Sequence, residues 1–270
     1  MDGLGKPVGE NLWGYAKRLR FVRRVIADAF PGRDARSLSV LDVGCGNGTQ
    51  LALPLVGAGF RLTGVDTDEG SIERARSLAP ESSDARFVCG RVEQLPAGQS
   101  FDVVILSEVL EHLEEPAALL EASVGRMAEG GILIVTVPNG YGEFEMDSWM
   151  FRALRLQRLV ERLVRNGREV VGATDNQECG HVQFFTRRRL ARLFTRCGLH
   201  LFREEASVLF AGPLAGHTLA RSPRFIEWNA RITDKLPLAL SSGWYFALRR
   251  TPGGRERRRV GLPDKAAIRK

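Results

Sequence analysis

The stretch Ser39-Val-Leu-Asp-Val-Gly-Cys-Gly-Asn-Gly-Thr49 decides the fold. Its apolar half, Val40 to Val43, reads as a buried strand, and a helix should open near Thr49. An apolar run that stops at Gly-x-Gly-x-Gly matches the first strand and first crossover turn of a nucleotide-type α/β sheet. Gly44, Gly46 and Gly48 lack Cβ, so the backbone there can turn sharply and let a ligand lie against it. The dinucleotide fingerprint Gly-x-Gly-x-x-Gly brings a pyrophosphate to the helix N-terminus. Here the third glycine comes one residue early, and an acid, Asp42, lies in the strand just before the turn. A carboxylate suits a positively charged ligand, one with an ammonium group and a sulfonium centre, better than a pyrophosphate. Asp66 closes the next apolar run, Leu62-Thr-Gly-Val-Asp66, 22 residues after Gly44. An acid at about that distance usually takes ribose hydroxyls.

Taken together, Leu41-Asp-Val-Gly-Cys-Gly-Asn-Gly48 and Gly64-Val-Asp66 resemble the cofactor site of class I S-adenosylmethionine (SAM) methyltransferases. The resemblance implies a Rossmann-like, doubly wound, mostly parallel seven-stranded sheet, with SAM as cofactor and S-adenosylhomocysteine as product. It places Asp42, Gly44, Cys45, Gly46, Asn47, Gly48, Asp66, Thr67, Val92 and Ser107 around the cofactor. The family usually carries an aspartate near the adenine amino group. Here Arg91 stands at that place, leaving the backbone of Val92 or the side chain of Glu93 to meet the adenine.

Outward from this stretch, strands alternate with helices from 39 to 137, the pattern of a parallel sheet with helices on both faces. Asn11 to Phe30 reads as an amphipathic helix ended by Pro31-Gly32. The following helices are expected at about 49–58, 69–79 and 116–128. Strands are expected at 61–66, Arg86–Cys89, Phe101–Ser107 and Ile132–Val137, the last preceded by a turn at Glu129-Gly-Gly131. Thr186 to Cys197 reads as a helix with Thr186 as N-cap and Gly198 as its C-terminal signal. Leu199–Phe210 and Trp244–Leu248 read as a terminal antiparallel pair.

The chain is expected to form one methyltransferase domain over 1–248, with an N-terminal helical lid at 1–35. Trp13, Tyr15 and Arg18 are the lid candidates. Insertions at 139–180 and 211–242 would form a substrate cap, where Asn139, Tyr141 and Trp149 are candidates to line the acceptor pocket. A helix at about 148–165 carries an arginine stripe suited to anionic substrates or lipid headgroups, or to solvent.

The motif Ser107-Glu-Val-Leu-Glu-His-Leu113 follows the fourth strand. On a helix turn beginning near Glu108, the residues Glu108, Glu111 and His112 would share a face. Such a cluster is costly unless a proton or a cation joins it. A second histidine lies in Gly180-His-Val-Gln-Phe-Phe-Thr-Arg187. The two motifs resemble ubiquinone-pathway O-methyltransferases and, more weakly, small-RNA 2′-O-methyltransferases. That resemblance makes Glu108, Glu111, His112 and His181 candidate ligands of a divalent metal. The readings without metal make His112 or His181 a general base or a polar pocket residue, with Glu108 also a catalytic candidate, or leave the cluster to structural hydrogen bonding.

The 270 residues are 44% hydrophobic, enough for a substantial core. Cys45, Cys89, Cys179 and Cys197 show no paired spacing, which favours a reducing compartment. The Cys179/His181 pair lacks a partner pair for zinc. With no membrane-length apolar run and no signal peptide, a cytoplasmic location is expected. The net charge is +7, yet the nine basic and two acidic residues from Arg249 onward account for all of it. A basic tail at 252–270, expected to be disordered, can solubilise, or touch anionic lipid or nucleic acid. The neutral body and the lack of an RNA-binding module disfavour a nucleic-acid substrate. The function read from the sequence is methyl transfer to a small or medium-sized acceptor. A hydroxyl of a biosynthetic metabolite, glycan or lipid-linked intermediate is favoured, in contact with a membrane surface or not. The alternatives are an RNA ribose methyltransferase and a SAM-binding partner protein without turnover. Oligomeric state is not legible.

Overall fold

A computed structural model describes residues 10–140, 142, 182–212 and 222–252. Seven strands form one sheet in the order β3-β2-β1-β4-β5-β7-β6. They are β1 (Ser39–Val43), β2 (Arg61–Asp66), β3 (Ala85–Cys89), β4 (Phe101–Ser107), β5 (Met127–Pro138), β6 (Leu199–Ala206) and β7 (Gly243–Arg250). The first five are mutually parallel, and β7 runs antiparallel to both β5 and β6. The expected mostly parallel seven-stranded, doubly wound sheet is therefore present. Its helices are α1 (Tyr15–Ala29), α2 (Ala52–Gly57), α3 (Glu69–Leu78), α4 (Pro116–Gly125), α5 (Arg187–Arg196) and α6 (Pro223–Ile232).

The period of two along each strand sorts the core onto two faces. Val40, Val103, Ile105, Ile132 and Ile134 pack with Phe21, Val22, Val25 and Ile26 of α1 and with residues of α2 and α3. Leu41, Val43, Val104, Leu106, Leu133 and Val135 pack on the opposite face with α4 and α5. Asp42 lies two residues beyond Val40, so it points to the α1 side of the sheet.

Several boundaries differ from the sequence reading for identifiable reasons. The first helix begins at Tyr15 rather than Asn11. Asn11 Oδ1 accepts from the amides of Trp13 and Tyr15, and Glu10 Oε1 from those of Ala16 and Lys17. These side chains satisfy the orphan donors of the first turn, and Gly14, at φ 71°, stands outside the helix. Only six residues of the first crossover remain helical, because the turn after β1 runs to Leu51. The fourth helix stops at Gly125, and Glu129-Gly-Gly131 lies inside β5. Pairing starts at Phe101↔Met127 and resumes at Val103↔Ile132, which makes the glycines a bulge rather than a loop between elements. Arg126 fastens that corner by donating to the carbonyls of Glu93, Leu95 and Pro96.

The C-terminal elements match expectation more closely. Thr186 Oγ1 accepts from the amide of Arg189 and caps α5, and Gly198 takes φ 71° at its end. Within the 211–242 segment, α6 was not foreseen. Ser222 caps it through the amide of Phe225, and Pro223 opens it.

Candidate functional site

The order of strands reverses between β1 and β4, and ligands in open α/β sheets lie at that switch point, beyond the carboxyl ends of the strands. Four loops converge there: the glycine turn after β1, the residues after Asp66, the one-turn 3-10 helix Val92–Gln94, and the segment from Ser107 to His112.

The glycine turn is built as the sequence required. Gly44, Gly46 and Gly48 all have positive φ, and a Cβ on Gly44 would stand 2.4 Å from Val109 Cγ2. The amides of Gly44 and Cys45 donate to Val65 O, holding the turn against β2. Asn47 Oδ1 accepts from the amide and hydroxyl of Thr49, so its side chain shapes the turn. Cys45 packs its sulfur beneath Gly64, and burial together with the charges of Asp42 and Asp66 pushes its thiol pKa up. It is a small packing residue there, not a thiolate.

The two aspartates face the same crevice under different conditions. Asp66 Oδ2 accepts from the amide of Gly46 at 2.7 Å, and Oδ1 from that of Asp68 at 3.0 Å. Each oxygen retains capacity for a further bond. Asp42 is buried, and its pKa rises to about 7 through desolvation and the charge of Asp66, with Arg18 pulling the other way. A buried acid near neutrality favours a cationic ligand, whose charge would stabilise the carboxylate. Thr67 is exposed, and Val92 is buried as the first residue of its one-turn helix. Arg91 is exposed, and its amide donates to Gln94 Oε1.

At the end of β4 a polar chain crosses the crevice. Arg18 of α1 is buried. Its Nη1 donates to Ser107 Oγ at 3.0 Å and to Gln50 Oε1 at 3.4 Å, and its Nη2 stands 3.7 Å from Glu108 Oε1. Thr136, fully buried, donates to Glu108 Oε1 at 2.7 Å and lies 3.0 Å from Ser107 Oγ. Arg18 also lies over the Tyr15 ring, and the Tyr15 hydroxyl accepts from Gln50 Nε2. This is where the expected lid helix meets the site. Trp13 instead packs beside Val208, Ala211 and Ala230.

The expected helical face of Glu108, Glu111 and His112 is not formed. Glu108 adopts φ 54°, the single positive value of a non-glycine residue among the described residues, and a 3-10 turn, Leu110–His112, follows. That left-handed step is held by the amide of Glu108 on Thr136 O as well as by the side-chain bond. Strain of this kind clusters at functional sites. Glu111 is 1% exposed, and its Oε2 has no hydrogen-bond partner. Burial, then the charge of Glu108, raises its pKa well above the ordinary carboxylate range. His112 Nε2 lies 3.8 Å from Glu111 Oε1. Among the described residues no group of three or more His, Cys, Asp or Glu side chains is arranged to hold a metal ion. The fourth expected ligand, His181, lies outside the described residues, as do Tyr141, Trp149, Cys179 and the 148–165 helix. Glu111 O accepts the amides of Val182 and Gln183, both at 2.9 Å, so the segment that follows His181 is anchored on the motif. Asn139 is buried, and its amide nitrogen donates to Ala239 O and Ser241 O. It ties the end of β5 to the β7 approach.

Comparison with known families bears on this arrangement directly. The family described as "Methyltransferase domain" matches residues 13–204. The chain belongs to this methyltransferase family. The resemblance seen in the glycine turn is thereby borne out. Ubiquinone biosynthesis O-methyltransferase of Azorhizobium caulinodans is 39% identical over 130 residues, covering 45% of this chain and 51% of that protein. The protein of the same name from Rickettsia felis is 32% identical over 123 residues, covering 45% and 49%. The chain thus spans about half the length of the curated relatives it matches. Among solved structures, magnesium protoporphyrin IX methyltransferase from Synechocystis PCC 6803, with bound S-adenosylhomocysteine, superposes with a TM-score of 0.51 at 17% identity. The match covers 87% of this chain and 86% of that one. An S-adenosylmethionine dependent methyltransferase from Mesorhizobium loti gives 0.52 at 17%, covering 84% and 96%. These likenesses concern the fold.

Sequence reading of this methyltransferase domain missed Gln50 and Thr136 and placed Arg18 only as a lid residue. A signal was present for Arg18. Phe21, Val22, Val25 and Ile26 are the buried stripe of α1, and residues 17 and 18 extend it by one turn. Among the described residues no helix is long and apolar enough to cross a membrane.

Proposed function

We propose that this chain transfers the methyl group of S-adenosylmethionine to a hydroxyl of a small or medium-sized acceptor. The observation that carries the reading is the pair Asp42 and Asp66 at the carboxyl ends of adjacent parallel strands, facing a glycine turn whose conformation excludes side chains. The residues fit the donor. Asp66 offers its carboxylate to the ribose hydroxyls, Asp42 lies where a positive charge would ionise it, and the backbone of Val92 serves the adenine. Arg18, buried with its Nε unpartnered, is a cation for the donor's carboxylate. The sulfonium supplies an already activated methyl group.

The protein's part is to hold an acceptor oxygen in line with the S–CH3 bond and to receive its proton. Such positioning contributes up to about 7–11 kcal/mol in favourable systems. A base near neutrality adds roughly 10²–10⁴-fold. Glu108 and His112 stand at the end of β4 for that role, and His181 joins them by the sequence motif. As the O–CH3 bond forms, the S–CH3 bond breaks, the hydroxyl proton passes to the base, and S-adenosylhomocysteine leaves. The relatives named ubiquinone biosynthesis O-methyltransferases support an oxygen acceptor.

The test is an acceptor screen with methyl-labelled S-adenosylmethionine, read by mass spectrometry. Label on a hydroxyl oxygen, lost in His112→Ala with donor binding kept, is expected. Label only on nitrogen or carbon, or on RNA ribose, overturns the acceptor reading.

A further inference from the structure

Next to Arg18 on α1 stands a second buried cation, Lys17, which plays no part in the donor crevice. It is 6% exposed. Its ammonium donates to Ser207 O at 3.0 Å, Ala230 O at 2.8 Å, Thr233 Oγ1 at 2.8 Å and Asp234 Oδ1 at 2.7 Å. Burying a charge is costly unless it is fully paired and hydrogen-bonded, and here four acceptors meet the three donors of one ammonium.

These acceptors come from two places far apart in sequence: the residue after β6, and the last turn of α6 with the 3-10 turn Thr233–Lys235 that directly follows it. The segment they belong to is internally braced. Asn229, fully buried, accepts from the amides of Leu209 and Phe210 and donates to Phe210 O. Thr233 Oγ1 is within bonding distance of Ser207 O as well. The unit stands at the same end of the sheet as the donor crevice, since Ala206 pairs with Trp244 and Trp244 with Val137, near the carboxyl end of β5.

Successive residues of a helix leave it about 100° apart. On α1 that geometry sends Lys17 to Ser207 and Asp234 and Arg18 to Ser107 and Glu108. The wall between the two is therefore one rigid helical turn. Tyr245 reinforces it, with its hydroxyl 3.1 Å from Ser207 Oγ and donating to Gly14 O at 3.4 Å.

We propose that Lys17 is a positioning residue which ties the stretches 207–212 and 222–235 to the donor crevice, so that donor binding on the Arg18 side orders these stretches on the acceptor side. This rests on the reading of the crevice as a donor site. Sites linked in this way share a coupling free energy, and the effect runs in both directions.

Hydrogen exchange of the full chain, with and without S-adenosylhomocysteine, tests it, alongside calorimetry of the same ligand. Binding is expected to slow exchange of amides in 223–235 by about fivefold or more in the parent protein. In Lys17→Met that response should vanish, while the ligand still binds within about tenfold of the parent affinity. A parent protein that binds the ligand with no change in 223–235 contradicts the proposal. So does a response that persists undiminished in Lys17→Met. If Lys17→Met does not fold, Asp234→Asn removes the exposed, charged member of the set. It should weaken the response, and a full response there is equally fatal. Absence of binding to the parent, seen by calorimetry, brings down the donor-site reading and this proposal with it.

Discussion

The carboxylate of Asp66, at the end of β2, accepts the amide of Gly46 in the turn after β1 at 2.7 Å. One side chain thereby fixes the distance between the two strands' loops and stays available to a ligand lying between them. Asp66→Ala should weaken S-adenosylmethionine binding by more than about tenfold, since charge-assisted bonds to the ribose would be lost. Calorimetry reads this directly. Unchanged affinity would remove Asp66 from the site.

Burial and the charge of Asp66 raise the pKa of Asp42 to about 7 from an ordinary 3.8, so binding of a cationic donor beside it is expected to depend on pH. The folded protein holds a proton that the unfolded chain has lost, so this group makes stability fall as pH rises from about 4 to 7 and adds no slope above that. A cation beside Asp42 favours its carboxylate. Affinity should therefore rise with pH, by about eightfold from pH 6 to pH 7.5 if only the ionised form binds. Asp42→Asn should flatten that rise. An equally steep rise in the variant would assign the dependence elsewhere.

Gly44→Ala tests the floor of the crevice. Its Cβ would meet Val109 Cγ2 at 2.4 Å at a φ of 73°, so both contact and backbone oppose it. We expect a loss of about 2 kcal/mol or more, and a Tm lower by at least about 4 °C. A variant with parental Tm and donor affinity would show that the turn tolerates a side chain.

Glu111 is a buried carboxyl whose pKa is raised by desolvation and by Glu108. Its folded form keeps a proton above the ordinary value of 4.5, so stability should fall as pH climbs from there towards the raised value. Glu111→Gln should abolish that part of the slope in urea unfolding at a series of pH values. It should also leave the tether to Val182 and Gln183 intact, because that tether uses the main-chain carbonyl. A slope as steep in the variant would show that Glu111 is already ionised in the folded protein.

Much of this was legible in the sequence because parallel strands buried on both faces read as continuous apolar runs. Val103–Leu106 and Ile132–Val135 are of that kind, and the proposed donor side lies between Gly44 and Asp66. The helix α6 was not legible, since Phe225, Trp228 and Ile226 stand partly in solvent and blur its apolar stripe. Its start was marked all the same by Ser222-Pro223, an N-cap followed by proline at the first helical position. The left-handed Glu108 was invisible for another reason: Thr136, 28 residues away, holds it there. Lys17 reads as a surface cation until its partners, 190 and more residues distant, are brought to it. Long-range polar closure is the information that local pattern lacks.

The glycine-floored crevice between β1 and β4 is expected to take a cationic methyl donor. A calorimetric titration with S-adenosylmethionine, run beside one with a phosphate-bearing dinucleotide, tests it most directly. Saturable binding of the first, lost in Asp66→Ala, and none of the second is expected. Binding of the dinucleotide instead, or no binding of either, would rule out a methyl-donor site in this crevice.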